Sequence, residues 1–186
     1  MNKEQLEIII SKCIKGDKLA FRDLMVYYSD YVFALAFRIL NHEEDAKDIV
    51  QESFIKIWQN INRYRKEIKF TTWIYKITVN LCFDKLKTKK RKPLVFNNEL
   101  EFSNQALLDA DIEIKLNNKQ IAAVIKKLAE NLTPKQKVVF VLNDIEQIEP
   151  QEIVKITGLN KGQIKSNLYY ARQQIRKKLK QVVYEM

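Results

Sequence analysis

Between Pro150 and Leu168 the residue types already suggest a chemistry. Pro150 to Thr157 can form a short helix that stops at Gly158, a residue able to take the left-handed conformation, and a second helix starts three residues later. Ile153, Ile156, Leu159, Ile164 and Leu168 can close a small core between the two. That is the outline of a helix-turn-helix, whose second helix lies in the DNA major groove. An ordinary helical hairpin has the same outline. The second helix, however, is basic throughout and Gly158 sits at the turn, which favours DNA. Lys161, Gln163, Lys165 and Asn167 occupy its early turns. Gln and Asn can pair bidentately with adenine, while Lys serves guanine or phosphate; Lys165 and Arg172 are the expected phosphate contacts.

A second group runs from Asn62 to Lys87, where Tyr64, Phe70, Trp73 and Tyr75 interleave with Arg63, Arg65, Lys66, Lys69 and Lys76. Aromatic faces stack unpaired bases and basic groups hold phosphates, which is how single strands are gripped. Trp73, next to Ile74, reads equally well as core; the stretch Tyr64 to Lys69 is harder to explain by packing. A third group, Asp45 to Trp58, is an acidic amphipathic helix that physics alone treats as a core helix with a solvated face.

These groups need helices to position them, and the periodicity supplies helices. Leu6, Ile9, Ile10, Cys13 and Ile14 form one stripe, broken by Gly16-Asp17; Phe21, Leu24, Met25, Tyr28, Val32, Leu35 and Ile39 form another, broken at Asn41-His42. Ala46, Ile49, Val50, Phe54, Ile57, Trp58 and Ile61 continue the spacing, behind an acidic first turn suited to the helix dipole. A loop is expected over Asn62 to Lys69, then a helix to about Lys87 with Thr71 or Thr72 as N-cap. Residues 94–118 read as a linker. From Lys119 onward come four helices: one carrying Ile121 to Leu128, one opened by Thr133-Pro134 and carrying Val138 to Leu142, one opened by Glu149-Pro150, and a long basic one capped by Asn160. The expected fold is therefore all-α: two small helical domains joined by a flexible linker, the second a four-helix domain with a helix-turn-helix. The boundaries are 1–92, 93–118 and 119–186.

The net charge of +10 is spread in blocks. Asp84 to Lys92 and Lys161 to Lys180 are basic, and Glu99 to Lys115 is acidic, a pattern suited to a polyanion held at two places. Solvated helix faces are the plainer explanation of either block alone. Cys13 and Cys82 stand apart, without metal or disulfide spacing, as expected in a reducing compartment. No apolar run approaches the ~18 residues of a membrane span, and the amino terminus has no signal-peptide core, so a cytoplasmic location is expected. His42 is the single histidine, and no phosphate loop or ligand cluster is visible; the chain is not expected to be an enzyme or to carry a cofactor or metal. Two other readings fit the chain less well. A dimeric one-component regulator would leave Tyr64–Phe70 without a task, and an enzyme acting on nucleic acid lacks the residues for it.

Taken together the segments resemble the extracytoplasmic-function (ECF) group of sigma-70 factors over nearly the whole chain. The resemblance lies in Gly16-Asp17 with Ala20-Phe21 and Leu24; in Asp45 to Phe54; in Phe70 to Ile77 continuing to Asn80 and Asp84; and in Leu132 to Gln136 followed by the helix-turn-helix and Ala171-Arg172. It implies a transcription initiation factor that binds RNA polymerase core, reads −10 and −35 promoter elements and promotes strand opening. The implied partners are the beta-prime clamp helices and beta flap of bacterial RNA polymerase core, promoter DNA and a restraining anti-sigma factor, with no membrane insertion. Residues 1–92 would correspond to sigma region 2 and residues 119–186 to region 4, with the acidic linker along the polymerase's RNA path. Asp45, Asp48, Gln51, Glu52, Ile55 and Trp58 would dock on the clamp helices. Tyr64, Arg65, Lys66, Phe70, Thr71, Trp73, Lys76 and Asn80 would take the −10 single strand, Tyr64 to Phe70 capturing a flipped base. Lys161, Gln163, Lys165, Ser166, Asn167, Tyr170 and Arg172 would read the −35 duplex. Val154, Thr157, Gln163 and Asn167 depart from the residues usual in the family, so promoter sequence does not carry over from relatives.

Overall fold

The computed structural model describes residues 2–91 and 131–184. The expected linker at 93–118 and the helix expected over Ile121 to Leu128 lie outside the described residues. Seven α-helices run through them: α1 (Lys3–Ile14), α2 (Lys18–Leu40), α3 (Glu43–Asn60) and α4 (Phe70–Arg91), then α5 (Pro134–Phe140), α6 (Pro150–Thr157) and α7 (Lys161–Tyr184).

Local sequence sets most of the helix ends. Asn2 and Gln5 cap α1 reciprocally at 2.8 and 3.1 Å. Gly16 turns the chain at φ +88°, and Asp17 then accepts from Leu19 and Ala20 to start α2. Asn41, left-handed at φ 57°, ends α2, and His42 Nδ1 accepts from Asp45 N to begin α3. Thr133 and Gln136 make a second capping box with Pro134 at the first position. Gly158 closes α6 at φ 72°, and Asn160 exchanges bonds with Gln163 at the start of α7.

Two ends differ from the sequence expectation. Neither Thr71 nor Thr72 caps α4: the first intrahelical bond runs from Trp73 N to Lys69 O, so the helix opens at Phe70. Packing fixes this, since the Phe70 ring is buried against Tyr28 and Tyr64. The valine-rich helix of the second domain likewise leaves α geometry at Phe140 and continues as a π turn, Val141–Ile145, with Glu146 N bonding Val141 O. Both Val141 and Leu142 are buried by that wider turn.

The amino-terminal helices close round Leu24, Tyr28, Val32, Phe54, Ile57 and Ile74. Each such aliphatic side chain contributes roughly 1.5–3 kcal/mol by leaving water. One polar contact sits inside: Ser53 Oγ lies 3.3 Å from Thr78 Oγ1, which in turn donates to Ile74 O on α4. Phe140, Ala171 and Ile175 make a small core between α5 and α7. The two domains then share one apolar cluster, in which Leu35, Ile39, Val79 and Cys82 lie with Val138, Leu142, Ile153 and Ile156. Through it α4 packs against α5 and α6.

Candidate nucleic-acid interface

Three faces emerge. On α3, Asp48, Gln51, Glu52 and Ile55 recur at three- and four-residue intervals and are all exposed, with Ile55 at 57%. Trp58 is half-buried beside Phe21, ring centroids 4.8 Å apart. Asp45 differs. It is buried, and Lys85 of α4 reaches its carboxylate at 3.0 Å while also touching Asp48 at 3.3 Å. Hydrogen bonding to Asp45 holds the Lys85 ammonium above its usual range. Asp45 therefore ties α3 to α4 and does not join the exposed row. The sequence reading also missed α2: Phe21 and Met25, one turn apart, join Phe54, Ile55 and Trp58 around a groove of about 420 Å³. Their spacing carried that signal, but it was absorbed into the core stripe.

The second face is the turn after α3 with the start of α4. A 3-10 turn, Ile61–Arg63, leads into a loop that Tyr64 organises. Its hydroxyl donates to Ile68 O at 2.9 Å, and its ring meets Phe70 edge-on at 5.0 Å and Trp73 at 5.6 Å. Burial raises the Tyr64 phenol above its ordinary pKa, so it is a donor at neutral pH. Arg65 and Lys66 are exposed on the loop, Lys66 with Glu7 at 2.8 Å. Phe70 is 3% exposed and forms the floor beneath the Tyr64 ring. Trp73 is half-buried, while Thr71, Lys76 and Asn80 are exposed. Trp73, Lys76 and Asn80 fall at helical spacing along one side of α4, which makes a surface of loop plus helix face.

The third face is α7. Lys161, Gln163, Lys165, Ser166 and Tyr170 are exposed on its first turns. Gln163 Oε1 is engaged by Asn160 N, and Asn167 donates to Gln163 O at 2.7 Å, so both amides start from intrahelical partners. Arg172, with its side chain 56% exposed, donates from Nε at 2.8 Å and from Nη2 to the Asp144 carboxylate of the π turn. Burial alone would raise the Asp144 pKa, yet hydrogen bonds from Arg172 and Asn143 carry it below the usual carboxylate range. The guanidinium thus braces α7 against the turn after α5. Lys165 is exposed and makes no such bond to the turn.

Between the domains lies a cleft of about 640 Å³, lined by Asn80, Phe83, Asp84 and Lys87 on one side and Pro134 and Leu159 on the other. Among the described residues no three His, Cys, Asp or Glu gather as metal ligands. None of the described helices is long and apolar enough to cross a membrane. Burial pushes the Cys13 and Cys82 thiols up to about 11 and about 12.

Comparison with known proteins gives two family matches in chain order: Sigma-70 region 2 over residues 24–92, and Sigma-70, region 4, over residues 122–175. The ECF RNA polymerase sigma factor SigW of Bacillus subtilis is 30% identical across 94% of this chain and 99% of its own length. The RNA polymerase sigma-H factor of Pseudomonas aeruginosa is 26% identical across 100% of this chain and 99% of its own. Two solved structures share the fold. CnrH in complex with the cytosolic domain of CnrY has a TM-score of 0.64 at 18% identity, covering 93% of this chain and 96% of that one. The sigma factor RpoE of Bartonella quintana in complex with the anti-sigma factor NepR has a TM-score of 0.63 at 19% identity, covering 86% and 96%.

Proposed function

The chain belongs to the ECF group of the sigma-70 family, and from that premise we propose how its residues divide the work of a transcription initiation factor. It binds RNA polymerase core, directs it to promoters by their −10 and −35 elements, and promotes strand opening. The helices α1 to α4 take the polymerase and the −10 element; α5 to α7, with the chain from residue 119, take the −35 element; residues 93–118 connect them. Asp48, Gln51, Glu52, Ile55 and Trp58 dock on polymerase, helped by Phe21 and Met25. Tyr64, Arg65 and Lys66 receive the flipped base above the Phe70 floor, and Thr71, Trp73, Lys76 and Asn80 line the strand beyond it. Lys161, Gln163, Lys165, Ser166, Asn167 and Tyr170 face the −35 duplex, and Arg172 positions their helix.

Extrusion of a base costs a few kcal/mol, so the loop must be shaped before the base arrives. The observation that carries this reading is the Tyr64 anchor, a hydroxyl-to-backbone bond that holds the loop open over packed aromatic rings. The protein acts by binding in the cytoplasm and performs no bond chemistry of its own. An anti-sigma factor, as NepR is named in its complex with the sigma factor RpoE, would find the cleft between α4 and α5 the natural place to wedge. Run-off transcription with reconstituted core on fragmented genomic DNA tests the function. Discrete transcripts that depend on the chain are expected. Absence of any such transcript, together with failure to co-purify with core, would overturn it.

A further inference from the structure

The buried side of α7 is narrow, and that fixes which residues lie furthest from it. Ile164, Leu168, Ala171 and Ile175 are buried; at ~3.6 residues per turn they span an arc of ~60°. Ser166 and Gln173 fall within ~10° of the line diametrically opposite, with Tyr169 and Tyr170 ~50° to either side of it. Gly162, one turn before Ser166, carries no side chain and Ser166 a short one. The two rings are therefore the first large groups along this ridge.

Tyr169 lies outside the set assigned above to the −35 duplex, and it is held at both ends. Its ring is 57% exposed and meets that of Tyr170 edge-on, centroids 5.4 Å apart. Its hydroxyl accepts a 2.7 Å hydrogen bond from Gln173 Nε2, one turn further along the helix. The direction of that bond decides what the hydroxyl can do. An amide N–H only donates, so the phenol oxygen is the acceptor and its own hydrogen is left to be given outward. Gln163 and Asn167 start differently: Gln163 Oε1 already accepts from Asn160 N, and Asn167 donates to Gln163 O. Tyr169 thus offers a fixed donor at the tip of an apolar ring.

In the major groove that combination matches one base. Thymine sets its O4 acceptor beside a methyl group, whereas the purines offer acceptors without a methyl and cytosine offers a donor. Lys165 and Arg176 are exposed further round on the Tyr169 side, ~70–90° from the ridge line, where they suit the phosphates of the groove wall.

Resting on the assignment of α7 to the −35 duplex, we infer that Tyr169 reads a thymine of that element, its ring against the methyl group and its hydroxyl donating to O4. Gln173 is the positioning residue that sets the direction of the donor. Because the ring and hydroxyl are ordered before DNA arrives, little rotamer freedom is lost on binding.

The test uses the chain loaded on polymerase core and a promoter mapped by run-off transcription. Each thymine of its −35 element is replaced in turn by uracil, which lacks the methyl group. It is also replaced by 5-methylcytosine opposite guanine, which keeps the methyl and puts an amino donor where O4 was. At one position the parent should bind the uracil duplex about fourfold more weakly, the value of one apolar carbon. At the same position it should bind the 5-methylcytosine duplex about fivefold more weakly, the value of one hydrogen bond. Tyr169→Phe should keep the first preference and lose the second, and Tyr169→Ala should lose both. Gln173→Glu separates positioning from packing. A carboxylate only accepts, so it draws the phenol hydrogen away from the DNA. The 5-methylcytosine preference should then vanish while the uracil preference stays, and the added negative charge should weaken all duplexes alike. Helical circular dichroism should be unchanged in all three variants, since both side chains are exposed. Absence of any thymine with this pattern, or a Tyr169→Phe protein that keeps both preferences, overturns the inference. So does equal weakening of every duplex by Tyr169→Phe, which marks a phosphate contact. Failure of the α7 assignment looks different: neither base changes in the −35 element nor Lys165→Ala would alter binding, and the thymine contact would fall with it.

Discussion

Tyr64 offers the sharpest test of the strand-capturing loop, because one atom separates anchoring from packing. Tyr64→Phe keeps the ring on Phe70 and Trp73 and removes only the 2.9 Å bond to Ile68 O. A partly buried hydrogen bond contributes ~1 kcal/mol, a factor of about five in the population of the shaped loop. Tyr64→Ala also removes two ring contacts, one edge-on and one tilted, at ~0.5–1.5 kcal/mol each, so roughly 3 kcal/mol and about two orders of magnitude are at stake. The readout is permanganate reactivity of promoter thymines in the presence of core, followed over time. Tyr64→Phe should slow opening about fivefold with unchanged helical circular dichroism, and Tyr64→Ala should nearly abolish it. A pre-melted bubble template should partly rescue both, since the duplex no longer has to be opened. Binding of the chain's −35 face to a duplex should stay as it was. Normal opening by Tyr64→Phe, and also by Arg65→Ala with Lys66→Ala, would refute the loop's role.

Four further outcomes are expected. Asp48→Lys with Glu52→Lys should weaken co-purification with core, while stability changes by under ~1 kcal/mol, because their pairs with Lys85 and Lys56 are exposed. Arg172→Ala should lower the melting temperature of the protein as well as −35 affinity, whereas Lys165→Ala should lower affinity for all sequences alike and the salt slope by about one, without loss of stability. The Asp144 carboxyl titrates below its unfolded value, so the bond to Arg172 contributes above about pH 4 and is lost as pH falls through the folded value. Asp144→Asn should therefore flatten the acid limb of the stability curve, and an unchanged limb would count against the brace. Gly158→Ala should cost ~1–2 kcal/mol in thermal denaturation through its left-handed backbone alone, since no atom lies within 4 Å of the added methyl position.

What the sequence made legible was whatever depends on neighbours in the chain. Pro150, Gly158 and Asn160 place the helix-turn-helix because caps and φ preferences act over a few residues. The acidic row of α3 was visible for the same reason, as a repeat of three and four. What escaped depends on contacts across long separations. Thr71 and Thr72 outrank Lys69 as caps by type, but burial of Phe70 on Tyr28 decided the start of α4. The bond from Arg172 to Asp144, 28 residues earlier, has no local signal in the sequence. Asp45 counted among the exposed acids until Lys85 of the next helix drew it inward. The contact of Thr72 with Glu152 joins the domains across 80 residues, and no local pattern announces it.

The buried contact between Ser53 and Thr78 carries a mechanical consequence. A purely aliphatic seam would let α3 and α4 slide past one another at little cost, since one methyl replaces another. A single pair of hydroxyls, with Thr78 also committed to Ile74 O, leaves an unmet polar group for any shifted register. The hydroxyl pair therefore ties the register of α3 to that of α4, the helices proposed here for polymerase and for the parted strand. On that proposal, clamping the factor would aim its melting surface in the same act, with a fixed register between the two faces.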